Sequence, residues 1–118
     1  MKYYEHPAYV GLAAELPLDD DRHPEYERQF NEQGFDDSVT WSLDYSLLVW
    51  LTPRLKRYRE LAFQTIHSPE LEKAVDEMIE CFEFALEDEN YFSFNSEDQK
   101  KIGRGFELYF KYHRGLWW

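Results

Sequence analysis

Apolar residues in this chain recur at intervals of three and four rather than two. From Thr40, Trp41, Tyr45, Leu48 and Leu51 or Thr52 share one helical face; beyond Pro53 the series continues as Leu55, Tyr58, Ala62 and Ile66 or Thr65. Leu71, Val75, Met78, Phe82 and Ala85 form a second stripe, and Ile102, Phe106, Tyr109, Phe110, His113 and Trp117 a third. This is the signature of amphipathic helices. No segment alternates with period two. The pattern predicts an all-α fold, a compact bundle of four or five helices with short loops. At 118 residues the chain is expected to form one domain, residues 1–118.

Local punctuation sets the expected ends. His23 to Gln33 reads as a short helix with Asp21 as cap, Pro24 in its first turn and Gly34 as its stop. Phe35 to Ser38 reads as a turn, with Asp37 or Ser38 capping the helix that follows. Pro53 should kink or break that helix near Leu51, and Thr52-Pro53 should start a new one. Ser68-Pro69 repeats the same start signal. Asn90 to Asn95 reads as a loop whose aromatic residues fold back on the core. Ser96 to Gln99 reads as a capping box, with the serine as cap. Gly103 and Gly105 weaken the last helix, which points to close approach by a neighbour. Residues 1–21 are interrupted by Pro7, Gly11 and Pro17 and read as irregular. Two helical turns over Ala8 to Leu16, a polar hinge at Asp19 to Asp21, and an extended arm are compatible with them.

Composition adds bulk and charge. Aromatics make up 19% of the chain, and the net charge is −11. Such a surface repels phosphates and anionic membranes, so neither nucleic acid nor membrane is an expected partner. It favours encounter with a basic protein surface. The single cysteine, Cys81, cannot close an internal disulfide, and no signal peptide or membrane-spanning run is apparent. A cytoplasmic setting fits.

The charge is blocky. Pro69 to Glu89 holds nine carboxylates and one base, Lys73. In a helix, Glu72, Asp76, Glu80, Glu83 and Glu87 line the face opposite the apolar stripe. Like charges four residues apart oppose each other by roughly 0.2–0.5 kcal/mol per pair, so a helix selected for stability alone would place lysines between them. These five carboxylates are the candidate partner-binding residues, together with Trp118 at an interface. Trp117 belongs to the third stripe and is expected inside. Arg54, Lys56, Arg57 and Arg59 form the one strong basic run and are expected to pair with a neighbouring acidic helix. The plainer account of the blocks is that acidic and basic helices pack side by side and neutralise each other.

Catalytic and metal chemistry find no foothold. His6, His23, His67 and His113 lack ligand spacing to one another, and one cysteine does not make a zinc site. Cys81 reads as a structural thiol. No cofactor, metal or enzymatic activity is expected.

Residues 34–59, GFDDSVTWSLDYSLLVWLTPRLKRYR, resemble a block found in small proteins of bacteriophages and prophages. There a Gly-aromatic pair, a Trp-Asn-Leu-Asp segment and a Pro-x-Leu-Lys segment precede an acidic helix. An ending like Gly105 to Trp118 recurs as well. Ser42 stands where that pattern has asparagine. The resemblance spans residues 34–118 and implies a group rather than an activity. It suggests a stoichiometric binder in a bacterial host, such as an anti-CRISPR or anti-restriction inhibitor. Such a factor would occupy a basic nucleic-acid-binding surface, with the five carboxylates mimicking phosphates. A different class is also compatible: a self-associating structural or assembly protein, with Trp118, Tyr91, Phe92 and Phe94 in the contacts.

Overall fold

A computed structural model describes all residues, Met1–Trp118, and the fold is all-α. Four α-helices account for most of the chain: α1 (His23–Gln33), α2 (Leu43–Ala62), α3 (Pro69–Leu86) and α4 (Ser96–Tyr112). Short 3-10 turns fill the spaces between them and the first twenty residues. Contacts divide the chain into two compact units, Met1–Trp50 and Leu51–Trp118, with the boundary inside α2.

In the first unit α1 forms where the sequence places it. Pro24 sits in its first turn, and Gly34 ends it at φ 87°, donating its N–H to Phe30 O at 2.9 Å. Only glycine takes that left-handed geometry without steric cost. Asp21 does not cap the helix. Asp20 does the local work instead, accepting from the Arg22 backbone N–H at 2.9 Å and from both arms of its guanidinium. The expected polar hinge is therefore a closed turn. Residues 8–16 do not form two helical turns. Single 3-10 turns occupy Tyr3–Glu5 and Ala13–Glu15, because Pro7, Gly11 and Pro17 leave no uninterrupted run.

The cap of the next element lies one residue earlier than expected. Asp36, rather than Asp37 or Ser38, accepts from Ser38 N–H and opens the 3-10 segment Asp37–Ser42. Pro53 neither breaks α2 nor begins a new helix, for α2 runs through it. Proline leaves the carbonyl of Val49 without its helical donor. Leu48, Leu51, Thr52 and Leu55 are all buried around it, and burial of that face keeps the helix continuous. Thr52, being buried within the helix, is not at a helix mouth to act as a cap.

The second unit is built on α3 packed along α4. Ser68 caps α3, its Oγ accepting from Leu71 N–H at 3.3 Å, with Pro69 in the first turn. The expected stripe is its inward face. Val75, Met78, Phe82 and Ala85 are fully buried and Leu71 is half-buried. Phe82 meets the rings of Phe106 at 5.0 Å and Tyr109 at 6.4 Å. At Gly105 α4 comes close to α3: a Cβ there would lie 2.7 Å from Cys81 Cβ and 3.0 Å from the Phe82 ring. Gly103 faces open space and has no such reason.

Three expectations about this unit are corrected. The cap of α4 is Asn95, whose Oδ1 accepts from both Glu97 and Asp98 N–H, while Ser96 is the first helical residue. Gln99 reaches the carbonyls of Tyr91 and Ser93 rather than the cap. The loop aromatics do not fold back together: Tyr91 is half-buried, but Phe92 is 54% exposed and Phe94 stands fully in solvent. The helix ends at Tyr112, so His113 and Trp117 fall outside it, and Trp117 is exposed rather than packed inside. Helical period cannot reveal where a helix stops.

Candidate protein-binding surface

The α3 carboxylates point outward, as the period requires, but they are not free. Arg59 donates to Asp76 Oδ1 at 2.6 Å and to Glu72 Oε1 at 2.7 Å. Lys56 Nζ meets Glu83 Oε2 at 3.0 Å, and Lys101 Nζ approaches Glu80 at 3.5 Å. Arg104 takes Glu77 at 3.1 Å. Glu87 has left the helix and is its C-cap residue. Four of the five stripe carboxylates thus meet a lysine or arginine of their own chain. Each pair lies at the surface and contributes only about 0.2–1 kcal/mol. Their effect on the field is larger, since each cation cancels a charge the stripe would otherwise present. A continuous phosphate-like ridge on α3 is not what the side chains form.

The basic run meets three of these four carboxylates. Lys56 and Arg59 reach α3, as expected of that run, whereas Arg57 pairs with Glu60 on its own helix at 2.7 Å. The side-by-side packing of acidic and basic helices is the arrangement found.

Between α3 and α4 lies an open trough of about 750 Å³ lined by Lys73, Glu77, Glu80, Lys101 and Arg104, with Cys81 at its base. Its charges are mixed, and burial, with Glu77 nearby, pushes the Cys81 thiol up, away from the reactive thiolate.

Most of the molecule's net charge lies in the first unit. Residues 1–50 hold 3 Lys or Arg and 11 Asp or Glu, a balance of −8; residues 51–118 hold 10 and 13, a balance of −3. The first unit's arginines are already engaged: Arg22 by Asp20, and Arg28 by Glu25 and Glu32. Glu5, Glu15, Asp19, Asp21 and Glu27 are exposed and enter no ion pair. Density of acids along the sequence pointed to α3. Cations of α2 and α4 offset the α3 acids, so most of the net negative charge falls on the N-terminal unit, as the count of acids and bases per segment gives.

One group of functional-looking residues went unnoticed in the sequence. Asp36 is fully buried. Tyr9 Oη donates to its Oδ2 at 2.5 Å, and the Ser38 hydroxyl and N–H both donate to Oδ1. Leu12 N–H then donates to Ser38 Oγ at 2.8 Å, and Ala13 N–H to Tyr9 Oη at 3.2 Å. Gly11 lines the cluster so tightly that a Cβ would lie 2.5 Å from Tyr9 Oη. Every polar atom has a partner and no space is left for a substrate. The trio holds the N-terminal segment in place. Burial first, and then the bond to Asp36, raises the Tyr9 phenol well above its ordinary range.

Large apolar side chains are also exposed. Trp41, Leu43, Leu47 and Trp50 stand 44–60% exposed in the first unit. In the second, Phe110, Trp117 and Trp118 stand 62–70% exposed, so the Trp118 proposed for an interface is accessible. No helix is long and apolar enough to cross a membrane. No family model, curated protein or solved structure matches the chain.

Proposed function

We propose that this protein acts without catalysis, by stoichiometric binding to a protein whose contact surface is basic. The observation that carries the reading is the net charge of −8 on Met1–Trp50, against −3 on the remainder. A field of one sign steers an oppositely charged partner and suppresses others. The phage-type block at residues 34–59 favours a target in host defence, such as a CRISPR effector or a restriction enzyme, and a cytoplasmic site of action in the bacterial host. Occupation of that target's nucleic-acid-binding surface would inhibit it.

Binding to a panel of purified effectors, read by size-exclusion chromatography with light scattering and by nuclease assay, tests this. A one-to-one, salt-sensitive complex that nucleic acid displaces is the expected result. Neutralising the first unit (Asp19→Asn, Asp21→Asn, Glu27→Gln) should weaken it more than neutralising Glu72, Asp76, Glu80, Glu83 and Glu87. Greater loss from the α3 set would return the contact to that helix. No effector bound at all would remove the defence target.

The exposed rings favour a second reading, self-association. Phe92, Phe94 and Trp118 present apolar area that a homo-oligomer would cover. A salt-insensitive oligomer of the isolated chain would favour it over the first.

A further inference from the structure

The loop between α3 and α4 carries one ring wholly in water. Phe94 is fully exposed and enters no ring contact, whereas Phe92 beside it meets Tyr91 edge-on at 5.1 Å. An exposed ring by itself is ordinary. What sets Phe94 apart is that the backbone on both sides of it is tied down. Ser93 Oγ donates to Asp98 Oδ2 at 2.8 Å and accepts from Asn95 N–H at 3.0 Å. The Gln99 amide donates to the carbonyls of Tyr91 and Ser93, and Asn95 caps α4. At the loop's start, Asn90 Nδ2 donates to Phe84 O at 2.9 Å. The ring is held out on a fixed frame, so little loop order is left to be imposed when it is buried against another surface.

Charge gives the loop one sign. Residues 87–99 hold five acids and no base. Glu87, Asp88 and Glu89 are exposed and enter no ion pair. Asn90 N–H donates to Glu87 O and Phe92 N–H to Glu89 O, so tight turns keep these acids near the ring. Five residues at a 3-10 rise of about 2 Å come to roughly 10 Å, about one Debye length. The bases nearest in the chain and across from α3 are already engaged: Lys100 by Glu97 at 3.2 Å, Lys101 by Glu80 at 3.5 Å and Lys56 by Glu83 at 3.0 Å. A symmetric pair joined through this loop would set its acids against themselves, and an anionic membrane would repel them. We infer that Phe94 is an anchor that enters an apolar pocket on a partner protein, a pocket bordered by lysine or arginine. The inference rests on the protein-binding reading above and adds to it a contact of defined shape. The ring supplies the buried area; Glu87, Asp88 and Glu89 supply orientation and on-rate.

The probe is amino-substituted β-cyclodextrin, an apolar cavity that takes a phenyl ring and is bordered by ammonium groups, with unmodified and sulfated β-cyclodextrin as controls. Each is titrated into the full chain and followed by amide NMR. The amino form should perturb Ser93, Phe94 and Asn95 most, bind roughly tenfold more tightly than the unmodified form, and lose that advantage in high salt. Phe94→Ala removes a side chain that packs against nothing and should abolish the perturbation. Glu87→Gln/Asp88→Asn/Glu89→Gln should reduce the amino form to the affinity of the unmodified one. Perturbation centred on Trp117 and Trp118 or on Trp41, equal binding of the sulfated form, or no response at Phe94 would each overturn the assignment. Against an effector that binds the chain, Phe94→Ala should lose roughly tenfold in affinity. An effector bound equally by that variant removes the anchor and leaves the protein-binding reading standing. A homo-oligomer that Phe94→Ala dissociates would hand the ring to self-association and overturn the anchor. If the amino form docks at Phe94 and no effector binds, the target is wrong and the anchor stands.

Discussion

The phenol of Tyr9 donates to Asp36 Oδ2 at 2.5 Å across 27 residues of chain, and this bond anchors the N-terminal segment. Asp36 is fully buried, so the donor cannot be replaced by bulk water without rearrangement. Removing one partner of a buried hydrogen bond costs the desolvation of the other, about 1–3 kcal/mol. Tyr9→Phe should therefore destabilise the first unit by that amount. It should also expose the amides of Leu12 and Ala13, which hydrogen exchange reads directly. Unchanged protection at those two amides would mean the segment is held by something else.

Alkaline pH should loosen the same segment. Tyr3 is pushed up to about 12, by burial first and then by the charge of Asp36, and Tyr9 is raised further. The unfolded phenol ionises near 10. Below pH 10 both states keep their protons and the stabilisation is complete. Between 10 and 12 the unfolded chain releases protons the folded one retains, so stability falls, and it is lost as the folded phenols ionise. Absorbance at 295 nm should resolve late-ionising tyrosines among the nine, with loss of N-terminal structure over that window. A single common midpoint near 10 would contradict this packing.

The two helical glycines of α4 should respond in opposite directions. Gly103→Ala meets open space and gains helix propensity, about 1 kcal/mol. Gly105→Ala drives a methyl to 2.7 Å from Cys81 Cβ, an atom fixed to the α3 backbone. Overpacking of that kind costs about 1–3 kcal/mol, which equals or exceeds the propensity gain. Thermal or urea midpoints of the two variants should therefore separate, with Gly103→Ala the more stable. Identical shifts would mean α3 and α4 do not approach at Gly105.

Capping gives a similar contrast one residue apart. Asn95→Ala removes the acceptor for two orphan amides and should cost about 0.5–2 kcal/mol, whereas Ser96→Ala removes no cap bond and should be nearly neutral. A larger loss at Ser96 would restore the cap position that the sequence implied.

Arg59 is the cation on which the α3 stripe most depends. Arg59→Gln leaves Glu72 and Asp76 without their shared partner. The variant should bind an anion-exchange column more strongly, and its stability loss should shrink in high salt as screening removes the difference. A loss that persists in high salt would mean the side chain acts by packing.

Helix periods, proline and glycine signals and the Ser68 cap were legible in the chain because they act over four residues or fewer. α1 and the buried face of α3 follow from them directly. Misreadings arose where a local signal met a distant one. The missing donor at Pro53 yielded to the buried face around it. The pairing of the basic run with α3 was expected, but which of Glu72, Asp76, Glu80 and Glu83 meets which cation, 13 to 27 residues away, was set by the fold.

By itself the sequence determined that the chain is helical, how its main apolar faces are spaced, and that it carries excess negative charge, since each follows from residue identity and nearest-turn geometry. Only the tertiary structure decided which charges remain uncancelled, which rings stand in water, and that Tyr9 reaches Asp36. Those outcomes depend on which side chains come within a few ångströms of each other through space, and linear order does not encode that distance.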